Sequence, residues 1–124
     1  MRVFKTKLIR LQLTAEELDA LTADFISYKR DGVLPDIFGR DALYDDSFTW
    51  RLIKFERVAH IHLASVNNPF PPLLRQFSRT NDEAHLVYCQ GAFDEQAWLL
   101  IAILKPEPHK QARDNNQMHK IGKM

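Results

Sequence analysis

The order of apolar patterns along the chain predicts a single α+β domain spanning residues 1–124. The expected architecture is a small antiparallel sheet of about four strands, with N-terminal helices packed on one face and a C-terminal helix. Three observations carry this expectation. Residues 14–32 read as one capped amphipathic helix. "WRLIKFERVAHIHLA", "EAHLVYCQG" and "AWLLIAIL" read as strands, the last two separated only by the short "AFDEQ". Finally, 124 residues with 45% hydrophobic content can bury one core.

Residues 2–12 interleave charged and apolar side chains without a helix start signal, which predicts a strand. The next segment carries the strongest local signal. Thr14 and Glu17 form a T-x-x-E capping box, and Leu13 and Leu18 are placed for a hydrophobic staple. Leu18, Leu21, Phe25 and Tyr28 share one helical face. Lys29 and Arg30 suit the negative helix end, and Gly32 the stop. "PDIFGRDALYDD" is expected to be a short second helix or helical turn started by Pro35.

The strand "WRLIKFERVAHIHLA", bulged or broken near Glu56–Arg57, alternates two faces. Ile53, Phe55, Ala59, Ile61 and Leu63 form its core face; Lys54, His60 and His62 lie on the other. Three prolines within "PFPP" and its lead-in make 67–82 a loop. "AFDEQ" closes an antiparallel hairpin between the last two strands. "AWLLIAIL" is apolar at every position, so it should be central with both faces covered. "NNQMHKIGKM" reads as the start of a helix capped by Asp114 or Asn115, with Met118 and Ile121 inward; the pattern runs to Met124 and predicts a further turn or two.

Charge is uneven along the chain although the formal net charge is +1. Residues 1–13 hold four bases and no acid, 14–48 nine acids against three bases, and 49–124 ten bases against seven acids plus all five histidines. That asymmetry is compatible with an anionic partner. The single cysteine, Cys89, can form no internal disulfide, and no signal peptide or membrane-length apolar run is present. A cytoplasmic protein with no membrane association is expected.

The candidate chemistry lies at the strand ends. In a hairpin closed at "AFDEQ", His85 at the start of one strand lies beside Lys105, the first residue after the other. Pro106 and Pro108 stiffen the exit, and His109 and Lys110 follow. His60, His62 and Lys54 can line the same basic concavity. His60-x-His62 also has the spacing of a metal-ligand pair, but no compact Cys/His pattern supplies further ligands. No Gly-x-Ser-x-Gly and no glycine-rich phosphate loop occur. Histidines and lysines around a sheet instead suit RNA cleavage with no metal or other cofactor. A base takes the 2′-hydroxyl proton, the oxygen attacks phosphorus, an acid protonates the leaving 5′ oxygen, and cations stabilise the added negative charge.

The running sequence from "MRVFKTKLIRLQLTAEELDALTADFISYKRDG" through "NNPFPP" and "LLIAILKPEPHK" to "NNQMHKIGKM" resembles the YafO family of bacterial type II toxin–antitoxin systems over essentially its whole length. The resemblance implies a ribosome-dependent mRNA interferase that cuts translated messages in the ribosomal A site, arrests growth, and is neutralised by a cognate, YafN-like antitoxin. The element order is similar to RelE-like toxins, with their microbial-ribonuclease-like sheet. In those toxins an arginine often starts the strand that reads "AHLVYCQ" here, and basic residues follow the last long strand; this chain has His85 at the first place and Lys105, His109 and Lys110 after the second.

Chemistry and resemblance together assign His85 as general acid or base, Lys105 as the phosphorane stabiliser and His109 as the second proton carrier. Lys54, His60, His62, Arg75, Arg79, Lys110 and Lys120 would contact RNA. The resemblance also admits a non-cleaving alternative, because the same fold serves toxins that inhibit DNA gyrase. A small interaction module with structural histidines is the third reading.

Overall fold

The computed structural model describes residues 1–43, 58–80 and 84–104. Its elements are β1 (Arg2–Lys5), α1 (Lys7–Gln12), α2 (Ala15–Asp31), β2 (Phe38–Leu43), β3 (Ala59–Leu63), β4 (Ala84–Gln90) and β5 (Ala97–Leu104). The strands form one five-stranded sheet in the order β1-β5-β4-β3-β2. β1 runs parallel to β5, while the other three pairings are antiparallel. The class is α+β, as expected, but the sheet is mixed and has one more strand than expected. The C-terminal helix lies outside the described residues.

The long helix forms as its sequence dictates. The Thr14 hydroxyl accepts from the Glu17 amide at 3.1 Å and the Glu17 carboxylate accepts from the Thr14 amide at 2.9 Å. Gly32 ends α2 at φ 70°, a left-handed conformation that glycine adopts without steric cost. Leu18, Leu21 and Phe25 are buried against one face of the sheet, with Phe38, Ile61, Leu86, Tyr88 and Leu100. Phe25 meets the edges of the Tyr88 and Trp98 rings at centroid distances of 5.1 and 5.7 Å.

Two segments differ from expectation, each for a tertiary reason. The strand expected over 2–12 ends at Lys5; Thr6 then caps α1 by accepting from the Ile9 amide at 3.2 Å. β1 covers only the first half of the β5 edge, and α1 seals the rest. The Gln12 side-chain amide donates to the Ile103 carbonyl and accepts from the Ile103 amide, both at 2.8 Å, so one side chain replaces a missing strand. Six residues are too few to show helical periodicity, and docking on β5 makes the helix.

The second difference is "PDIFGRDALYDD", expected to be helical, whose middle forms the edge strand β2. Gly39 permits it: a Cβ there would sit 2.2 Å from the Arg79 carbonyl oxygen and 2.9 Å from the Phe70 ring. The proline-rich loop lies against β2, and the Arg40 amide donates to that carbonyl at 2.9 Å. A helix over 36–41 would forfeit this contact and the burial of Phe38.

The hairpin is as expected: the Gly91 amide donates to Ala97 and the Asp94 carboxylate accepts from the Gln96 amide, at 2.8 and 2.9 Å. β5 is buried on both faces, Leu100 and Ile103 toward α2, and Ile101, Ala102 and Leu104 toward the opposite face with Val58 and Val87. A register shift between Val87 and Tyr88 lets two consecutive residues, Ile101 and Ala102, join the same cluster. Among the described residues no helix is long and apolar enough to cross a membrane.

Candidate functional site

Alternation along β3 separates two chemistries. Ala59, Ile61 and Leu63 point into the α2-side core, whereas His60 and His62 point to the opposite face. β4 does the same: Leu86 and Tyr88 join the core, and His85 and Val87 face away. The antiparallel register sets His62 directly against His85 and His60 against Val87. Facing positions place side chains about 5 Å apart at Cβ. The three imidazoles therefore meet, with ring centroids 4.3 Å apart for His62–His85, 4.5 Å for His60–His85 and 5.6 Å for His60–His62.

His85 is 0% exposed and His62 2%, while His60 is half-buried and is the member nearest solvent. The sequence places His60, His62 and His85 in one concavity but shows no compact ligand pattern; strand pairing sets His85, 23 positions along, directly against His62.

Leu104 pairs with His85, so the chain leaves β5 beside the imidazole cluster, with Lys105 the next residue. Lys105 itself, His109, Lys110, Lys120 and Lys54 lie outside the described residues. Arg75 is exposed on the loop that lies against β2. Arg79 departs from its expected role as a phosphate contact. It is 2% exposed, and its guanidinium donates to the carbonyls of Leu74 and Pro72 at 2.9 Å and to Pro35, Phe38 and Pro71 at 3.3–3.4 Å. Five donors matched to carbonyls make it the tie of the proline-rich loop. A proline-rich loop has more carbonyl acceptors than amide donors, which is the signal that could have marked a nearby arginine as structural.

A second polar cluster, unforeseen in the sequence, sits on the α2 side. Asp41 on β2 accepts from Tyr88 at 2.6 Å, from Tyr28 at 2.7 Å and from Lys29 at 3.1 Å. Lys29 also donates to the Tyr88 hydroxyl at 2.9 Å, and its ammonium stands 4.8–5.0 Å from the ring centres of Tyr28, Tyr88 and Trp98. Gln76 donates to the Tyr28 hydroxyl at 2.8 Å. Burial first, and then the Asp41 charge, pushes the Tyr88 phenol far above its ordinary value of 10; burial likewise raises Tyr28. Both tyrosines are therefore neutral donors, and the cluster joins the end of α2 to β2 and β4. Lys29, Tyr88 and Trp98 also line an open groove of about 870 Å³.

Against known proteins, the description "Toxin YafO, type II toxin-antitoxin system" matches residues 26–124. The mRNA interferase toxin YafO of Escherichia coli (strain K12) is 96% identical over 124 residues, all of this chain and 94% of that protein. No solved structure matches.

Proposed function

The chain belongs to the YafO family of type II toxin–antitoxin systems, and from that premise we infer that it is a ribosome-dependent mRNA interferase whose cleavage runs through the histidine face of the sheet. A relative 96% identical over the whole chain is named an mRNA interferase toxin, and the family makes a cognate antitoxin the natural partner. The observation that carries the site is the convergence of His60, His62 and His85 from two neighbouring strands, beside the exit of β5.

The chemistry is acid–base attack of the 2′-hydroxyl without a metal. One imidazole takes the 2′-hydroxyl proton, the O2′–P bond forms and the P–O5′ bond breaks. A second group protonates the 5′ oxygen, leaving a 2′,3′-cyclic phosphate and a 5′-hydroxyl end. His85 is the buried acid or base, and half-buried His60, its ring centroid 4.5 Å from that of His85, lies between it and solvent. Lys105 stabilises the phosphorane, and His109 is the second proton carrier. Lys54, Lys110, Lys120 and exposed Arg75 contribute to RNA contacts, which position the strand without reading its sequence; His62, expected to join them, is 2% exposed and packs against His85 instead.

The ribosome supplies orientation that a chain of net charge +1 cannot supply alone. The antitoxin silences this basic face with an acidic segment, so the complex should loosen as salt rises. Primer extension on translated and untranslated copies of one message tests the reading. Cuts confined to the translated copy are expected. Cuts in both would remove the ribosome from the mechanism, and cuts in neither would leave a non-cleaving toxin, such as one acting on DNA gyrase.

A further inference from the structure

We propose that His60, His62 and His85 form a three-histidine site for a divalent transition-metal ion, zinc above all, and that loading it switches cleavage off. Each histidine offers one ring nitrogen, and the three ligating atoms all lie within 4.8 Å of one another. Zinc bound by nitrogens at 2.0–2.1 Å in tetrahedral geometry needs them about 3.3 Å apart. Loading therefore asks the three rings to turn inward about their side-chain torsions.

The placement is that of a ligand set rather than a chance cluster. His60 and His62 are on one strand at i and i+2, which sends both to the same face. His85 is the residue hydrogen-bond register places opposite His62. Two of the three are almost fully buried. The backbone positions are thus fixed by the sheet, the feature that makes a metal site selective and preorganised.

The ligand chemistry narrows the ion. Three neutral imidazoles suit zinc, copper or nickel and disfavour calcium and magnesium, which want oxygen. Three protein ligands leave a fourth position for water. The inhibitory effect rests on the reading that these imidazoles move protons in cleavage. A nitrogen whose lone pair is given to a metal can no longer accept a proton, so the ion and the reaction compete for the same atoms.

The test uses the full, untagged chain, purified free of antitoxin and treated with chelator. Zinc titrated into it, followed by calorimetry, should bind at one equivalent. Cobalt in its place should give the strong visible absorption of four-coordinate cobalt, rather than the faint band of the aquo ion. The His62→Gln variant should lose both signals, whereas a His109→Ala/His119→Ala double variant should keep them. The cobalt spectrum of the unaltered chain keeps the proposal testable even where a variant fails to fold. Absence of one-equivalent binding, or binding that survives His62→Gln and disappears with the His109/His119 variant, would overturn the site.

Message cleavage on ribosomes is then compared with chelator and with one equivalent of zinc. A loss of tenfold or more on loading, reversed by chelator, is expected. Binding without any loss of cleavage would overturn the switch; the site would stand, and the acid–base role of these histidines would fall with the switch.

Discussion

Two polar clusters occupy opposite faces of the same sheet, and β4 contributes to both, Tyr88 to one and His85 to the other. In the Asp41 cluster unlike groups are matched: one carboxylate accepts from two phenols and an ammonium. Desolvation of Asp41 and Lys29 is offset by charge and hydrogen bonds, and the cluster joins helix to sheet. In the histidine cluster three like groups meet at tilted and edge-on angles. Two protonated rings at 4–5 Å would repel, so a proton on one is a proton denied to its neighbours. Complementary groups make an anchor, and like titratable groups make a place where protons, or an ion, can be exchanged.

The contrast can be broken most forcefully at His85. His85→Gln should lower message cleavage by about 10²- to 10⁴-fold, in the range of a lost general acid or base. Growth arrest on induction, with folding checked by circular dichroism, measures it, and undiminished toxicity from a folded variant would end the functional side of the comparison. Asp41→Ala should do the reverse. It leaves buried Tyr88 and half-buried Tyr28 without their carboxylate acceptor, and Lys29 with the Tyr88 hydroxyl in place of its ion pair, and should lower stability by about 2–4 kcal/mol in urea unfolding, while the fraction that remains folded keeps its cleavage rate.

Alkaline pH sharpens the same difference. The folded Tyr88 phenol ionises far above the ordinary tyrosine value of 10. Its stabilising contribution is therefore complete below pH about 10 and is lost as pH rises beyond it, at up to about 1.4 kcal/mol per pH unit. Half-buried Tyr28 adds a smaller loss of the same sign. Melting temperature followed from pH 9 to 11 should fall, with phenolate absorbance appearing together with unfolding; phenolate appearing in the folded protein near pH 10 would contradict the buried network. The smallest expected effect is Tyr88→Phe, about 1 kcal/mol, since Asp41 retains Tyr28 and Lys29 as donors.

The sequence by itself determined α2, with its capping box and glycine stop, and the β4–β5 hairpin. In each the deciding interactions lie within a few residues of one another. It also determined the burial of β5 on both faces, because eight apolar residues leave no face for water. That His60 and His62 share the face away from the core was legible from period-two alternation.

The tertiary structure alone decided the rest. α1 exists because β5 needs its edge closed, and β2 exists because Gly39 admits the Arg79 carbonyl. Arg79 turned inward because a proline-rich loop left carbonyls to satisfy. The concavity shared by His60, His62 and His85 was expected, but only strand register set His85 directly opposite His62, and Asp41 met Tyr28, Lys29 and Tyr88 across three elements. Those contacts join residues far apart in the chain, and no local pattern encodes a partner that only sheet pairing and packing bring within reach.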